Sequence, residues 1–329
     1  MLDNCNFKKK NTWLVTGGAG FIGSNLTEYL LKKKQKVIVI DDLSNGKIEN
    51  ISLIKKKFKK TDLIFIKSDL LIVDFNRKIF REVKYIVHLA ALGSVPRSYD
   101  DLNHSVKNNV NITLKILESF KRKKIERIII SSSSSVYGDQ KDKQKNENLI
   151  CRPKSPYGVS KFAIEMYSEA YSKKYNIPIA VIRLFNVFGP YQRVDSFYSA
   201  VIPKWIYAIF NKKKIKIYGT KKISRDFTFV DNVIYSIYLI VVKNKFLKKF
   251  EILNIACGKS ISLAKVIFFL KKKLNIKKIK EKIEKKREGD ITYSLASLKK
   301  SEKVLNYRPI VNFSEGIKLT LDWYNKNIN

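Results

Sequence analysis

The chain is poor in the residues that build metal centres and covalent scaffolds. It has three cysteines, two histidines and two methionines in 329 residues. Cys5, Cys151 and Cys257 are odd in number and far apart, so they form neither a metal-ligand spacing nor a disulfide framework. A reducing compartment is expected. The start, MLDNCNFKKK, has no apolar signal core. The longest apolar run, Ile234 to Val242, is too short to span a bilayer and lies between Asp231 and Lys243. These absences predict a soluble, cytoplasmic protein. Acidic residues are also scarce: 29 Asp and Glu face 66 Lys and Arg, for a net charge of +37. Such a field would suit nucleic acid or an anionic membrane. Only 11 of the 66 are Arg, however, and the lysines are scattered in twos and threes rather than gathered on one element. The pattern reads as compositional drift, with no nucleic-acid or membrane partner expected, though the field would help to draw in an anionic substrate.

What is present is a core: 45% of the residues are hydrophobic. No repeat or low-complexity linker interrupts it. Apolar runs predict strands at Thr12–Thr16, Lys36–Asp41, Asp62–Lys67, Tyr85–His88, Arg127–Ser131 and Pro178–Leu184. Helical patterns between them cover Gly20–Lys34, Asn103–Lys123 and the region around Pro156–Tyr175. This alternation predicts an α/β fold, a Rossmann-type doubly wound parallel sheet. After Asn186 the alternation weakens, as expected of a smaller C-terminal substrate-binding domain. The expected division is a loosely held tail over 1–10, a dinucleotide-binding domain over 11–185 with a returning segment near 229–256, and a substrate domain from 186–228 and 257–329.

The first strand runs into Thr16-Gly17-Gly18-Ala19-Gly20-Phe21-Ile22-Gly23. Gly18, Gly20 and Gly23 fit GxGxxG, and Gly17, Gly20 and Gly23 fit GxxGxxG. Glycines here allow a tight turn and close approach to a pyrophosphate, which the following helix N-terminus favours. Such a motif alone can be an ordinary strand–helix turn. Here a strand precedes it, a helix follows, and Asp41 ends the next strand about 20 residues further on. A carboxylate at that place accepts ribose hydroxyls and repels a 2′-phosphate, which predicts NAD rather than NADP. Asp42 could share the role.

Tyr157-Gly158-Val159-Ser160-Lys161 opens a predicted helix, and spacing by four puts Tyr157 and Lys161 on one face. A lysine ammonium beside a phenol lowers its pKa, so the phenol can act as a base near neutrality. Isolated, the motif would be a surface pair. The serine run Ser131–Ser135 lies upstream, at the end of the Arg127–Ser131 strand, where doubly wound folds place chemistry.

In order along the chain stand TGGAGFIG, HLAAL, NNVNIT, SSSSSVYG, YGVSK, RLFNVFG, SRDFTFV and REGD. Together they resemble the NAD-dependent nucleotide-sugar epimerases and dehydratases of the extended short-chain dehydrogenase/reductase type. The GSVPRS loop and VIPKW resemble the UDP-N-acetylglucosamine and UDP-N-acetylglucosaminuronate 4-epimerase branch. The resemblance implies catalysis by Ser133, Tyr157 and Lys161. It implies cofactor contacts at Gly17, Gly20, Phe21, Ile22, Gly23, Asp41, Asp42, Asn45, Gly46, Asp69, Leu70, Leu89, Ala90, Ala91, Asn108 and Leu184, besides Tyr157 and Lys161. Substrate contacts are implied at Ser94, Arg97, Ser133, Ser134, Ser135, Asn186, Ala200, Val201, Arg225, Arg287, Asp290 and Ser294, with no metal. Dehydratases of the family carry an Asp-Glu pair before VYG and decarboxylases a Glu; this chain has Ser134 and Ser135, so elimination lacks its acid. Arg225 and Arg287 match the diphosphate arginines, and Asp290 the ribose carboxylate. Ser294 stands where epimerases confined to glucose and galactose carry a Tyr, leaving room for an N-acetyl group. UDP-GlcNAc/UDP-GalNAc interconversion at C4 is therefore expected. Arg97 leaves a UDP-hexuronate epimerase open, because it either meets a C6 carboxylate or braces its loop. A UDP-glucose 4-epimerase comes third, and a non-catalytic dinucleotide sensor is remote because Tyr157, Lys161 and REGD are intact. A homodimer through a helix bundle is also implied.

Overall fold

A computed structural model describes residues 2–58, 62–140, 142, 144–194, 200–285 and 293–327. In chain order its elements are β1 (Thr12–Thr16), α1 (Phe21–Lys32), β2 (Lys36–Asp41), α2 (Ile48–Lys57), β3 (Leu63–Lys67), β4 (Val83–His88), α3 (Val95–Asp100), α4 (Leu102–Val106), α5 (Ile112–Phe120), β5 (Arg127–Ser133), α6 (Pro156–Tyr175), β6 (Ile179–Leu184), β7 (Val187–Phe188), α7 (Val201–Phe210), β8 (Ile215–Tyr218), β9 (Ser224–Asp226), β10 (Thr228–Phe229), α8 (Val230–Val242), β11 (Phe250–Ile255), β12 (Ser260–Ser262), α9 (Leu263–Leu274), β13 (Glu281–Glu284), β14 (Tyr293–Ser294), α10 (Lys299–Leu305) and α11 (Phe313–Asn327).

The main sheet has seven strands in the order β3-β2-β1-β4-β5-β6-β11. All its pairings are parallel. The chain winds outward from β1 to β3 and then restarts at β4, so the winding reverses between β1 and β4. Doubly wound folds form their ligand crevice at this switch. Buried positions alternate with period two. Leu14, Ile38, Ile40, Ile128, Ile130 and Val181 pack on one face with Ile116, Leu117, Phe120 and Ile164 of α5 and α6. Trp13, Val15, Val37, Val39, Ile129 and Ile182 pack on the other with Leu26 and Leu30 of α1 and Val233 and Ile237 of α8. Covering both faces explains why the strands read as uninterrupted apolar runs. The doubly wound expectation holds. β11 returns late in the chain to pair with β6.

Three small sheets, β12-β9-β14, β13-β8 and β10-β7, stand beside the main one. Among the described residues no helix is long and apolar enough to cross a membrane.

One expectation is corrected. The helix read over Asn103–Lys123 is three pieces: α4, a π-turn over Lys107–Asn111, and α5. The π-turn carries Asn109, which is drawn inward: its Oδ1 accepts the Leu92 N–H at 2.7 Å and its Nδ2 donates to Ser160 Oγ at 2.8 Å. Parts of the N-terminal segment reach the core. Cys5 is buried, and Phe7 packs against the rings of Trp13, Tyr29 and Tyr238 at centroid distances of 5.3, 6.3 and 5.3 Å.

Candidate functional site

The C-terminal ends of β1, β2, β4 and β5 open on a cavity of about 510 Å³. Its floor is the turn after β1. Gly17 has φ +69°, and a Cβ there would meet Ala90 N at 2.7 Å. A Cβ on Gly23, in the first turn of α1, would meet Gly17 O at 2.1 Å. Only glycine lets the turn, α1 and the end of β4 approach this closely. Thr16 Oγ1 adds to the floor by accepting the Ala90 N–H at 3.3 Å and bonding to His88 Nδ1 at 2.7 Å. His88 is buried and its pKa falls to about 3 through burial and the Lys161 charge, so its ring is neutral.

Asp41 closes the β2 side. Its Oδ2 accepts from Ala19 N and its Oδ1 from Leu43 N, both at 2.9 Å, which ties it to the glycine turn. Burial pushes its carboxyl above the usual range. Asp42 Oδ1 accepts from Ser44 N and Oγ. Asn45, Gly46, Asp69 and Leu70 continue the lining along this edge, and Lys107 pairs with Asp69 at 3.4 Å.

The opposite wall is the serine run and the start of α6. Ser155 caps α6 by accepting the Gly158 N–H at 3.1 Å, with Pro156 in the first turn. The Tyr157 N–H donates to Ser98 Oγ at 3.0 Å. Burial raises the Tyr157 phenol pKa, and a hydrogen bond with Ser133 draws it back. Ser133 Oγ also accepts the Ser135 N–H at 3.1 Å. Lys161 is buried and donates from Nζ to Ser131 O at 2.8 Å. Burial lowers its pKa to about 8, against the pull of the Glu165 carboxylate. Lys161 thus holds the strand carbonyl, and the hydrogen bond from Ser133 favours the phenolate.

Every residue expected to contact the cofactor lines this cavity, together with Ser94, Ser133, Ser134, Ser135, Asn186 and Ala200. Arg97, Val201, Arg225 and Ser294 do not line it. Arg97 lies in α3, where its N–H is capped by Ser94 Oγ at 3.4 Å. Val201 begins α7, next to Ala200. Ser294 is buried one layer behind, accepting from Asn186 Nδ2 at 3.5 Å. Arg225 lies opposite Ser294 in the β9–β14 pairing. Arg287 and Asp290 fall outside the described residues.

Three features escape the sequence reading. Ser44, Ser68, Ile112 and Val187 also line the cavity, beside Leu92, Gly93, Val95, Ser131 and Ser132 of motifs already singled out. Asp226, within SRDF, is a buried hub whose carboxylate accepts the N–H groups of Cys257, Gly258 and Ala296 at 3.0, 3.0 and 3.2 Å. Under α6 lies a buried Glu165–Arg183 ion pair at 2.7 Å. The position of Asp226 next to Arg225 was the one available signal; the other features depend on contacts distant in sequence.

Residues 13–256 match the model of the NAD dependent epimerase/dehydratase family. Three solved structures are similar over nearly their whole length. A UDP-N-acetylglucosamine 4-epimerase from Methanobrevibacter ruminantium, in complex with UDP-N-acetylmuramic acid, is 34% identical with a TM-score of 0.89, covering 97% of this chain and 99% of its own. A UDP-glucuronic acid 4-epimerase from Bacillus cereus, in complex with UDP-glucuronic acid and NAD, is 31% identical with a TM-score of 0.87, covering 96% and 99%. A UDP-glucose 4-epimerase from Thermotoga maritima, with UDP-glucose, is 29% identical with a TM-score of 0.88, covering 97% and 100%.

Proposed function

Because this chain belongs to the NAD dependent epimerase/dehydratase family, we propose that it inverts C4 of a UDP-sugar with NAD as cofactor, and that the sugar is an N-acetylhexosamine. The observation that carries the reaction type is the distribution of carboxylates. Among the described residues, those lining the cavity are Asp41, Asp42 and Asp69, all at the β2–β3 end, while Ser133, Ser134 and Ser135 line the end beside Tyr157. Elimination or decarboxylation needs an acid near the sugar; reversible oxidation at C4 needs a base and a hydrogen-bond donor.

The residues present fit NAD. The glycine cradle at Gly17 and Gly23 is filled by any Cβ. The turn leads into the N-terminus of α1, and Asp41 stands where a ribose would be held. Bound NAD supplies the acceptor for the hydrogen that leaves C4 and its return to the opposite face. Tyr157 takes the 4-hydroxyl proton and returns it. Ser133 steadies the same oxygen and the phenolate. Lys161 provides a nearby positive charge below pH about 8. The UDP moiety is assigned to Asn186, Arg225, Arg287 and Asp290, which hold it while the sugar turns.

Ser294 supports the N-acetylhexosamine: a small side chain behind Asn186 leaves space that a Tyr would occupy. A UDP-hexuronate is the second reading; it rests on Arg97, which would have to turn from α3 into the cavity. We also propose a homodimer through α6 and α4, whose Val159, Met166, Tyr167, Leu102 and Val106 are exposed. Sedimentation velocity tests this, and a monomer at micromolar concentration would count against it. The substrate is tested by C4 inversion of UDP-GlcNAc and UDP-GlcNAcA, followed by NMR. Inversion of UDP-GlcNAc well ahead of the acid is expected. Preference for the acid would move the enzyme to the uronate branch, and inversion of neither would overturn the reading.

A further inference from the structure

Glu165 and Arg183 form an ion pair with side chains 0% and 3% exposed. The carboxylate is fully committed. Arg183 donates to it from Nη2 at 2.7 Å and from Nε at 3.0 Å, and Ser132 Oγ donates to Oε1 at 2.5 Å. Arg183 in turn stacks on the Tyr137 ring at 4.7 Å. A buried pair of this kind is weak support for stability, because desolvation offsets its attraction, so its place needs another account.

That place is beneath the Tyr157–Lys161 site. Glu165 follows Lys161 by one helical turn on the buried face of α6. The serines that face it each engage a different part of the site. Ser131 gives its carbonyl to Lys161, Ser132 its hydroxyl to Glu165, and Ser133 its hydroxyl group to Tyr157. We propose that Glu165 is a positioning residue for the reaction: held by Arg183, its carboxylate supplies the negative charge that faces Lys161 and, through Ser132, holds the end of β5 in register with α6. This rests on the epimerase reading of the same site.

The charged and titratable groups around Lys161 leave Glu165 as its counter-charge. On β4, His88 is neutral at physiological pH, its pKa being about 3. On α6, Tyr157 is protonated at rest, with its pKa raised by burial. On β6, Arg183 is a cation whose repulsion is masked by the Glu165 carboxylate paired with it. Beyond it, burial raises both Tyr137 and Cys151, so neither adds a charge. Removing the Glu165 charge should therefore make Lys161 lose its proton more easily.

The test compares Glu165→Gln, Glu165→Asp and Ser132→Ala in the full chain. Two readouts are used: the pH dependence of UDP-sugar turnover, and the titration of the Lys161 Cε carbon by NMR, identified as the signal absent from Lys161→Arg. In the wild type both should show a midpoint near pH 8. In Glu165→Gln both should move down by about one unit or more, and Glu165→Asp should restore them. Ser132→Ala keeps the ion pair, so it should lower kcat by at least about threefold with the midpoint unmoved. If Glu165→Gln lowers only the melting temperature and both midpoints stay, or if Ser132→Ala turns over as the wild type does, the proposal is overturned. The NMR titration needs no turnover. An inactive wild type would therefore sink the epimerase reading, while the Lys161 midpoint would still decide this one.

Discussion

Replacing Tyr157 by Phe removes one oxygen from the cavity wall and little else. The helix cap does not involve the phenol: Ser155 still accepts from Gly158, and the residue 157 N–H still donates to Ser98. Ser133 loses one partner but keeps its bonds with Ser135. The loss is then one hydrogen bond, about 1 kcal/mol net, which moves the melting temperature of a chain this size by only about 1–2 °C. The effect on rate should be far larger. A lost general base costs on the order of 10²–10⁴, or about 2.7–5.4 kcal/mol of barrier. Because the phenol acts on the reacting oxygen, the loss should appear in kcat, with KM and the NAD content of the purified protein nearly unchanged. The assay is C4 inversion by NMR beside a thermal melt. Turnover within about threefold of wild type in a folded variant would refute the assignment of Tyr157 as base. A collapse of the melting temperature would instead mean that the phenol is structural.

Other substitutions test other parts of the site. Gly23→Ala should weaken NAD binding at least about tenfold and cost about 1–3 kcal/mol, since its Cβ would lie 2.1 Å from a backbone oxygen that cannot yield; calorimetric titration with NAD that gives wild-type affinity would contradict this. Asp226→Ala orphans one buried and two part-buried N–H groups, so its urea midpoint should fall by the equivalent of about 2 kcal/mol or more, and an unmoved midpoint would remove Asp226 from its hub role. Ser294→Tyr should reduce turnover of UDP-GlcNAc relative to UDP-glucose by at least about tenfold, and an unchanged ratio would place sugar selection elsewhere.

The parallel sheet was legible because its strands are buried on both faces. Ile128, Ile129 and Ile130 need no partner to read as strand, and the expected boundaries differ from those observed by at most two residues. The cavity was legible for a related reason: glycines at Gly17 and Gly23 and the Tyr157–Lys161 spacing encode local geometry. What sequence reading lost was set by distant partners. The π-turn at Lys107–Asn111 exists where Asn109 reaches Leu92 and Ser160, and nothing in the local pattern distinguishes it from regular helix. β7, β10 and β14 are two residues long, too short for any periodicity to register. Phe7 looks like tail until Tyr238 arrives to pack on it. Glu165 reads as one more surface charge on a helix until Arg183 and Ser132 close over it.

The late return of β11 to the edge of β6 has a consequence for how the chain is made. When the ribosome has released β6, that strand's outer edge of N–H and C=O groups is unpaired, and its sequence, IAVIRL, is apolar and β-branched. Its partner, Phe250–Ile255, is encoded about seventy residues later. At synthesis rates of about 5–20 residues per second, the nascent protein exposes this edge for roughly 4–14 s. An open apolar edge is a template for pairing with a neighbouring chain. Anything that slows translation between residues 185 and 250 lengthens that exposure, so the yield of soluble enzyme should depend on the codons of a stretch whose described residues contribute no strand to the main sheet.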